Sequence, residues 1–558
     1  MTDQRRSPNG RVRGRATENF LIAKDERLSP MSFGPVDFGW VIEQLERDRQ
    51  VRVSRVLRPR SLALQSFGDP VVRDVVAAEM PPETAAQLAE HPQLIVEVDH
   101  PIFPVPALLA PEPPAFVAPF GVDTTWHLVL RSRSGVPVVG ATVYLYGSGV
   151  PAQGRTDATG SVRLTLTNET DASLTALYVN PAQGSWSLWL DRPELTSAAP
   201  NTVVLEDLSE TFPAFPARQL LGWGQTCMGL DRLPAGYDGQ GVRVGVIDSG
   251  AAAATHPDLR EVRHGIDVTV SPADPTTWTT DTIAHGSHCT GVIAGADGPY
   301  GIRGFAPAAE VHEARIFPGG RLSSLLDALD YCIDAQLDVV NMSLGTGGSS
   351  QIVLQKLAQA KAQGVACIVA AGNSAGPVQF PGVSPDVLTV AAIGKEGTFP
   401  ESSYHARQRW TGGPGDQDYF SAQFSCHGPE VDVCAPGVAI VSSVPPDGFA
   451  AWDGTSMAAP HISGLAALIL AHHPDFTSGP LALRTAARVD RLFEIIKRSA
   501  TPLAFGADRA GSGLPSVVSA LLSSPDDQSL HTPSNAQAIQ DSLHRLVEEM
   551  ILAGLLRA

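Results

Sequence analysis

The sequence is poor in charge, and in positive charge above all. Charged residues make up 18% of its 558 residues, with 40 Lys and Arg against 58 Asp and Glu, which gives a formal net charge of −18. A surface of that sign repels a polyanion, so nucleic acid is not an expected partner. Long apolar runs are absent too. No stretch reaches 18 uninterrupted apolar residues, and no transmembrane helix is expected.

The amino-terminal region lacks the apolar core of a signal peptide. Five arginines lie between Arg5 and Arg15, but the only apolar run that follows them is 20–23, which is far too short for such a core. We therefore expect a cytoplasmic protein, with export by a non-classical route as the alternative.

Cysteine is scarce, and all of it follows residue 226. No pair has the CxxC spacing of a metal motif, so we expect mostly buried thiols at Cys227, Cys289, Cys332, Cys367, Cys426 and Cys434. Cys289 follows His285 by four residues and is expected on the same side of a helix, one turn on. A buried neutral thiol and a redox- or mercurial-sensitive thiol are the alternatives there.

Three short segments place an Asp, a His and a Ser in an order that suits nucleophilic catalysis. VGVIDSG ends at Gly250, HGSHCTG begins at His285, and GTSMAAPH begins at Gly454. The hydroxyl of Ser456 is too weakly acidic to attack a peptide carbonyl without a base, and His285 supplies one near neutral pH. A buried carboxylate, for which Asp248 is the candidate, orients the imidazole and stabilises its protonated form.

Local patterns place these three residues at the ends of predicted elements. The β-branched apolar run 242–247 predicts a buried parallel strand that ends at Asp248, and the sites of open α/β sheets lie at that end of the strands. His285 and Ser456 fall at predicted helix starts. A helix start beside Ser456 directs peptide N–H groups at negative charge that develops there.

From about 222 to 522 the chain resembles the subtilisin family of serine peptidases. The resemblance rests on the three segments in their order and on FSCHGPEVDVCAPG, 424–437. It implies an α/β catalytic domain at 215–522, with a mostly parallel sheet covered by helices on both faces. It also implies a serine endopeptidase that needs no cofactor for its chemistry and acts on protein or peptide substrates, with a triad formed by Asp248, His285 and Ser456.

Two further segments are similar to parts of the family that bind the substrate. AAGNSAG implies that Asn373 donates its side-chain amide to the oxyanion of the tetrahedral intermediate. NMSLGTGG, 341–348, is similar to an edge strand that pairs with an extended peptide. That similarity implies main-chain partners for the substrate at Ser343, Leu344 and Gly345.

Two departures from the family pattern concern calcium and specificity. Asp258 and Asp297 are the candidate ligands of a structural calcium ion, but Gly298 stands where the family has an amide oxygen. Calcium takes roughly six to eight oxygen ligands, so calcium binding and its absence both remain open. Gln379 borders the expected specificity pocket and predicts a pocket that is shallower and more polar than in broad-specificity relatives.

The residues before the catalytic region divide into two predicted units. Helix and strand patterns at 17–100 predict a small α+β module, and its end resembles the propeptide of many subtilisins, which implies a folding helper and inhibitor. A stiff, exposed, Pro-rich linker at 101–119 follows. Short alternating strands at 120–208 resemble a transthyretin-like or carboxypeptidase-regulatory β-sandwich. We interpret it as a spacer or recognition domain, with Trp186 and Trp189 as exposed aromatic candidates for binding.

Two more segments lie outside the family pattern. An insertion at 398–421, rich in Gly and charge, predicts a surface loop. After 522 the chain predicts a tail, 523–558, with an amphipathic helix at 536–556 that docks on the protein or on a partner.

Two questions of function remain open at this stage. Cleavage at 211–222 would release both leading units, cleavage in the linker would keep the sandwich attached, and an uncleaved chain is the third alternative. A self-processing endopeptidase also competes with a silent binding protein that captures a partner without cutting it.

Overall fold

The computed structural model describes residues 16–25, 36–58, 74–104, 121–270 and 272–521. The arginines of 5–15, most of the predicted linker and the predicted helix at 536–556 lie outside these ranges. Among the described helices, none combines the length and the apolar character that crossing a bilayer requires.

The first unit is a four-stranded antiparallel sheet in the order β2-β3-β1-β4 with two helices. Alternate side chains of its central strand face two different cores. Phe20 and Ile22 pack against the first helix of the unit, whereas Leu21 and Ala23 pack toward the third unit. The elements are β1 (Glu18–Lys24), α1 (Phe38–Arg47), β2 (Arg52–Leu57), β3 (Val75–Met80), α2 (Pro82–Ala89) and β4 (Leu94–Val98).

The second unit consists of two sheets that share one apolar core. One sheet has the order β11-β10-β7-β8 and the other β12-β6-β9, and inward side chains of both sheets, such as Trp126 and Leu177, belong to the same buried cluster. Its strands are β6 (Asp123–Ser132), β7 (Thr142–Tyr146), β8 (Ala152–Arg155), β9 (Ser161–Thr167), β10 (Ala176–Asn180), β11 (Leu188–Asp191) and β12 (Asn201–Leu205). A short strand, β5 (Phe103–Pro104), precedes them.

The third unit is built on an eight-stranded sheet and has further short strands outside that sheet. Its strands are β13 (Arg243–Asp248), β14 (Val262–Asp267), β15 (Glu310–Arg315), β16 (Val339–Met342), β17 (Leu344–Gly345), β18 (Ala366–Ala370), β19 (Val387–Lys395), β20 (Tyr419–Ser421), β21 (Val433–Pro436), β22 (Ile440–Val444), β23 (Gly448–Trp452), β24 (Ala500–Thr501) and β25 (Leu514–Pro515). Its helices are α3 (Leu208–Thr211), α4 (Trp223–Cys227), α5 (His285–Ala294), α6 (Leu322–Asp334), α7 (Gln351–Ala362), α8 (Thr455–His472), α9 (Pro474–Thr477), α10 (Ala486–Arg498), α11 (Ala507–Ala510) and α12 (Val517–Leu521).

The large sheet has the order β14-β15-β13-β16-β18-β19-β20, with β21 also paired to β19. All of its pairings are parallel except β19 with β20. Side chains on one face pack with α5 and α8, and those on the other with α6 and α7. The predicted α/β architecture, with helices on both faces of a mostly parallel sheet, is confirmed.

The insertion at 398–421 packs against the second unit. The ring of Tyr404 lies 4.5 Å from that of Tyr178, and the backbone N–H of Trp189 donates to the carbonyl of Ser402 at 3.1 Å. The guanidinium of Arg407 lies 4.8 Å from the Trp189 ring and bonds Asp191 at 2.8 Å. The predicted surface loop is therefore an interdomain contact.

The expectation that Trp186 is exposed is wrong. Its side chain is only 1% exposed, and its indole N–H donates to Thr211 at 2.9 Å. Trp189 is half-buried by the insertion. Both aromatic residues serve the contact between units, because an indole that buries its ring and satisfies its N–H is stabilising there.

The predicted exposed linker also starts later than expected. Ile102 is 2% exposed, and β5 pairs with β17 of the third unit. Residues 101–104 are therefore part of a packed contact.

Replacing Tyr404 by alanine removes a ring that contacts Tyr178 and Trp189, so we expect the second unit to be destabilised by about 2 kcal/mol. Differential scanning calorimetry should show a lower melting temperature. Val139→Ala, at a residue 53% exposed on the same unit, is the control. Identical scans for the two variants would show that the insertion does not hold the second unit.

Candidate active site

Asp248 ends strand β13 and is fully buried. Both of its carboxylate oxygens lie in hydrogen-bond range of Nδ1 of His285, at 2.8 and 2.9 Å. Behind it the chain turns at Gly250 with φ of +99°, where an added Cβ would lie 2.6 Å from the carbonyl oxygen of Thr280. The close approach of these segments requires glycine at this turn.

His285 is the first residue of α5, as the sequence predicts. Burial by itself lowers the pKa of its imidazole, but the charge and hydrogen bond of Asp248, with a smaller contribution from Cys289, together outweigh burial, and the pKa is raised well above the usual histidine value. Nδ1 is occupied by Asp248, and Nε2 is buried with no hydrogen-bond partner among the described residues. The ring is thus a basic group whose outer nitrogen is free to take a proton.

Asp281 organises the start of α5, and sequence reasoning missed it. One of its oxygens accepts the backbone N–H of Ala284 at 2.7 Å and the hydroxyl of Ser249 at 2.9 Å. The other accepts the N–H and the hydroxyl of Ser287, at 2.9 and 2.7 Å. An acidic residue a few positions before a helix start is the signal that could have found it.

Ser456 lies in the first turn of α8, as predicted, and is fully buried. Its hydroxyl donates to the carbonyl oxygen of Ser343 at 3.3 Å, and it makes no hydrogen bond to the imidazole of His285. The expected row of three bonded side chains is therefore complete only between Asp248 and His285. Catalytic hydrogen bonds are often long before substrate binds and tighten in the complex.

Cys289 connects α5, which begins at His285, to α8, which holds Ser456. Its sulfur donates to the carbonyl oxygen of Ser456 at 3.3 Å and lies 4.0 Å from Nδ1 of His285. Burial raises the pKa of this thiol, so it stays neutral. None of the six cysteines forms a disulfide, and all but the half-buried Cys227 are buried, which confirms the expectation of mostly buried thiols.

Asn373 is fixed beside the start of α8. Its Oδ1 accepts the backbone N–H and the hydroxyl of Thr455, at 2.9 and 2.7 Å. The hydroxyl oxygen of Thr455 in turn accepts the N–H of Gly372 at 3.1 Å. Thr455, which the sequence analysis did not single out, therefore sets the orientation of the Asn373 amide.

A segment of the first unit occupies the edge beside Ser456. Phe103 pairs with Gly345 and Pro104 with Leu344 in antiparallel register. On the other side, the N–H of Ile102 donates to the carbonyl of Gly320 at 2.9 Å. The segment thus lies extended between β17 and the residues just before α6, in the place expected for a substrate.

Two carboxylates that precede this segment cap helices of the third unit, and sequence reasoning missed both. Glu97 accepts the N–H groups of Gln351 and Ile352 at the start of α7, at 2.9 and 3.3 Å. Asp99 accepts the N–H and the hydroxyl of Ser323 at the start of α6, at 3.0 and 2.8 Å. Negative charge at a helix N-terminus is stabilising, so these contacts fix the first unit on the third.

Gln379 lies next to the Asn373 segment. Its backbone N–H donates to the carbonyl of Ala371 at 2.9 Å, and its side-chain amide lies 3.4 Å from the hydroxyl of Ser374. An added Cβ on Gly372 would lie 2.7 Å from its Oε1. The polar end of Gln379 therefore borders the oxyanion segment.

Glu313 is a third buried carboxyl near Asp248, and the sequence gave no signal for it. It is fully buried, its Oε1 has no hydrogen-bond partner among the described residues, and Oε2 lies 3.3 Å from the hydroxyl of Thr290. Burial, together with the charges of Asp248 and Asp281, raises its pKa well above the usual glutamate range. Burial thus disfavours the charged form of Glu313 and limits the negative charge behind Asp248.

The loop that the family resemblance assigns to calcium is held by protein donors. The amide of Gln219 donates to the carbonyl of Ala296 at 2.7 Å. Oδ2 of Asp258 accepts the N–H of Ile302 at 2.8 Å, and Asp297 pairs with Arg303 at 3.2 Å. Each of these three oxygens is engaged by a protein donor, and three are fewer than the roughly six to eight oxygen ligands that calcium takes.

The pH dependence of stability tests this reading of Asp258. Burial raises the pKa of its carboxyl to about 7, far above its value of about 3.9 in an unfolded chain. The native state then holds the proton more tightly, so stability is lost as pH rises from about 4 to 7. Asp258→Asn lacks this loss and should be more stable than the parent at pH 8, by up to about 4 kcal/mol, and equal to it at pH 4.

Melting temperatures at both pH values, with and without EDTA, measure the effect. Asp297→Asn, which removes a surface ion pair of small energy, is the matched control. A lower melting temperature of Asp258→Asn at pH 8, together with a decrease caused by EDTA in the parent, would show instead that Asp258 binds calcium.

Comparison with known proteins gives one consistent result. The sequence pattern of the subtilase family matches residues 239–510. Subtilisin from Bacillus pumilus is 35% identical over 251 residues, which cover 44% of this chain and 82% of that protein. Subtilisin DY from Bacillus licheniformis is 30% identical over 283 residues, covering 49% and 93%. Subtilisin E from Bacillus subtilis strain 168 is 35% identical over 251 residues, covering 44% and 59%.

Proposed function

Because the chain belongs to the subtilase family and is a subtilisin-like serine endopeptidase, we propose that Ser456, His285 and Asp248 are its catalytic triad. The observation that carries this assignment is the double contact of Asp248 with Nδ1 of His285, at a helix start that packs beside the first turn of α8. That contact fixes the tautomer in which Nε2 can accept a proton.

The proposed reaction proceeds through an acyl-enzyme. His285 removes the hydroxyl proton of Ser456 as its oxygen attacks the scissile carbonyl, and then gives that proton to the leaving amine. Water, activated by the same imidazole, hydrolyses the ester. The backbone N–H of Ser456 and the amide of Asn373 stabilise the oxyanion, an interaction whose loss typically costs about 2.7–4 kcal/mol.

The substrate is an extended polypeptide. Main-chain groups at Ser343, Leu344 and Gly345 supply its pairing partners, which is supported by the antiparallel pairing of Phe103 and Pro104 with the same edge. Affinity then comes from the backbone and selectivity from side-chain pockets. Gln379, beside the oxyanion segment, contributes polar character to the pocket of the scissile residue.

Labelling with a fluorophosphonate tests the triad. We expect the probe to modify Ser456 in the processed protein, because His285 activates that hydroxyl, and to modify neither Ser456→Ala nor Asp248→Asn at a comparable rate. Asp248→Asn should lose roughly 10⁴-fold in kcat. Ser134→Ala, at an exposed serine of the second unit, is the control. Absence of labelling in processed, folded protein would favour a binding protein that does not cut.

The first unit, 16–104, acts in this proposal as an inhibitor and folding helper of the peptidase. Its last residues fill the edge that a substrate needs, and Glu97 and Asp99 attach it to two helix starts. One face of its sheet packs into a core shared with α6 and α7. The contact thus combines main-chain pairing, two capped helix starts and a shared apolar core.

We place self-cleavage between Pro104 and Gly121, so that the second unit stays with the peptidase. Phe103 pairs with Gly345 and Pro104 with Leu344, so the pairing advances toward Ser343. The carbonyl oxygen of Ser343 accepts the hydroxyl of Ser456. The pairing of Phe103 and Pro104 therefore runs toward the residue that contacts the nucleophile, which supports a cut after Pro104. The contacts of Tyr404 and Arg407 with the second unit supply the reason for its retention.

Intact mass and amino-terminal sequencing test the position of the cut. We expect wild-type protein to yield a large fragment that begins between residues 105 and 121, while Ser456→Ala remains uncut because it lacks the nucleophile. A large fragment that begins between 211 and 222 would contradict retention of the second unit. An uncut wild-type chain that still labels with fluorophosphonate would refute processing and leave the triad intact.

A further inference from the structure

Two histidines and a glutamate meet at the edge of the large sheet, far from the site described above. His264 lies on the edge strand β14 and pairs in register with His312 on β15. Glu310 precedes His312 by two residues on the same strand, so both side chains stand on one face of the sheet. Neighbouring strands therefore present three potential metal ligands to one point.

The ligand atoms are close enough to share an ion. Nε2 of His312 lies 2.7 Å and Nε2 of His264 lies 3.9 Å from Oε1 of Glu310. The two imidazole rings are stacked, with centroids 4.8 Å apart and planes 22° apart. One nitrogen or oxygen from each residue falls within 4.8 Å of the other two.

The His312 ring is held in a fixed orientation. Its side chain is 9% exposed, and Nδ1 lies 2.9 Å from the hydroxyl of Tyr331 on α6, which leaves Nε2 directed at Glu310. A metal-bound histidine usually has its second nitrogen engaged in this way by an outer partner.

Two imidazoles and one carboxylate match the preferences of Zn²⁺, which takes nitrogen and oxygen ligands in tetrahedral geometry. Calcium and magnesium prefer sets made only of oxygen. His264 and Glu310 are about half exposed, so water has access to the fourth position. Arg243 lies 3.7 Å from Oε1 of Glu310 and is the cation that a metal would replace there.

We propose that His264, Glu310 and His312 bind one Zn²⁺ ion that fastens the edge strand β14 to β15. The site is separate from the catalytic chemistry. In the parallel pairing of β13 with β15, Glu310 lies opposite Arg243 at the start of β13, whereas Asp248 lies at its other end opposite Arg315. The bound ion therefore stabilises the sheet and takes no part in peptide hydrolysis.

The test measures binding of Zn²⁺ alone to Ser456→Ala protein, which removes self-digestion as a complication. Calorimetric titration of this Ser456→Ala parent should show a saturable site. Its affinity for Zn²⁺ should fall at least tenfold when His264→Asn or His312→Gln is added. His127→Asn, at a half-buried histidine on β6, is the matched control and should bind like the parent. Zinc should also raise the melting temperature of the parent and of the control, but not of the two site variants.

Cobalt distinguishes this site from the buried group of Asp248, His285 and Cys289, which also brings three potential ligands together. Co²⁺ at the proposed site has no sulfur ligand, so its spectrum should lack a thiolate charge-transfer band and should vanish in His264→Asn.

Because each melting shift is the difference between samples of one variant with and without zinc, a general loss of stability does not imitate the result.

Two outcomes would overturn the proposal. One is a parent whose melting temperature does not respond to Zn²⁺. The other is a response that persists in both His264→Asn and His312→Gln. In either case Glu310 serves only the ion pairs with Arg243 and the two histidines.

Discussion

The contact between the buried carboxylate of Asp248 and the imidazole of His285 is the constraint on which the rest of the catalytic unit depends. A charge without solvent around it must be neutralised by partners. Here the partners are the imidazole and a backbone N–H, since Oδ1 also accepts the N–H of Ser249. The strand end, the glycine turn and the helix start are all arranged to bring those partners within reach.

Neighbouring acidic groups are kept from disturbing that contact by two different means. The carboxylate oxygens of Asp281 accept five hydrogen bonds, from Ser249, from the turn before α5 and from α5 itself. Burial near other carboxylates raises the pKa of Glu313, which disfavours its charged form. The carboxyl groups of Asp248, Asp281 and Glu313 thus lie close together, and the negative charge among them is kept small.

The sequence was most informative where a signal is local. The apolar run before Asp248 and the small-residue segments after His285 and Ser456 predicted the ends of β13, α5 and α8, because strand and helix periodicity depend on neighbouring residues. The exposure of Trp186 and the role of the insertion were misjudged, since both depend on contacts between residues about 200 positions apart. The capping by Glu97 and Asp99 escaped notice for the same reason. The absence of a hydrogen bond between Ser456 and His285 depends on side-chain rotation, which no pattern of residue types encodes.

The sheet of the first unit is covered on both faces, by its own helices on one side and by helices of the peptidase on the other. Its second face carries Leu21, Ala23, Val75, Ala77 and Ile95. Separation from the peptidase would wet all of these side chains at once, at a cost of roughly 25 cal/mol for each Å² of apolar surface. A first unit released by the proposed cleavage would therefore be only marginally folded in water, and its digestion would make the proposed release irreversible.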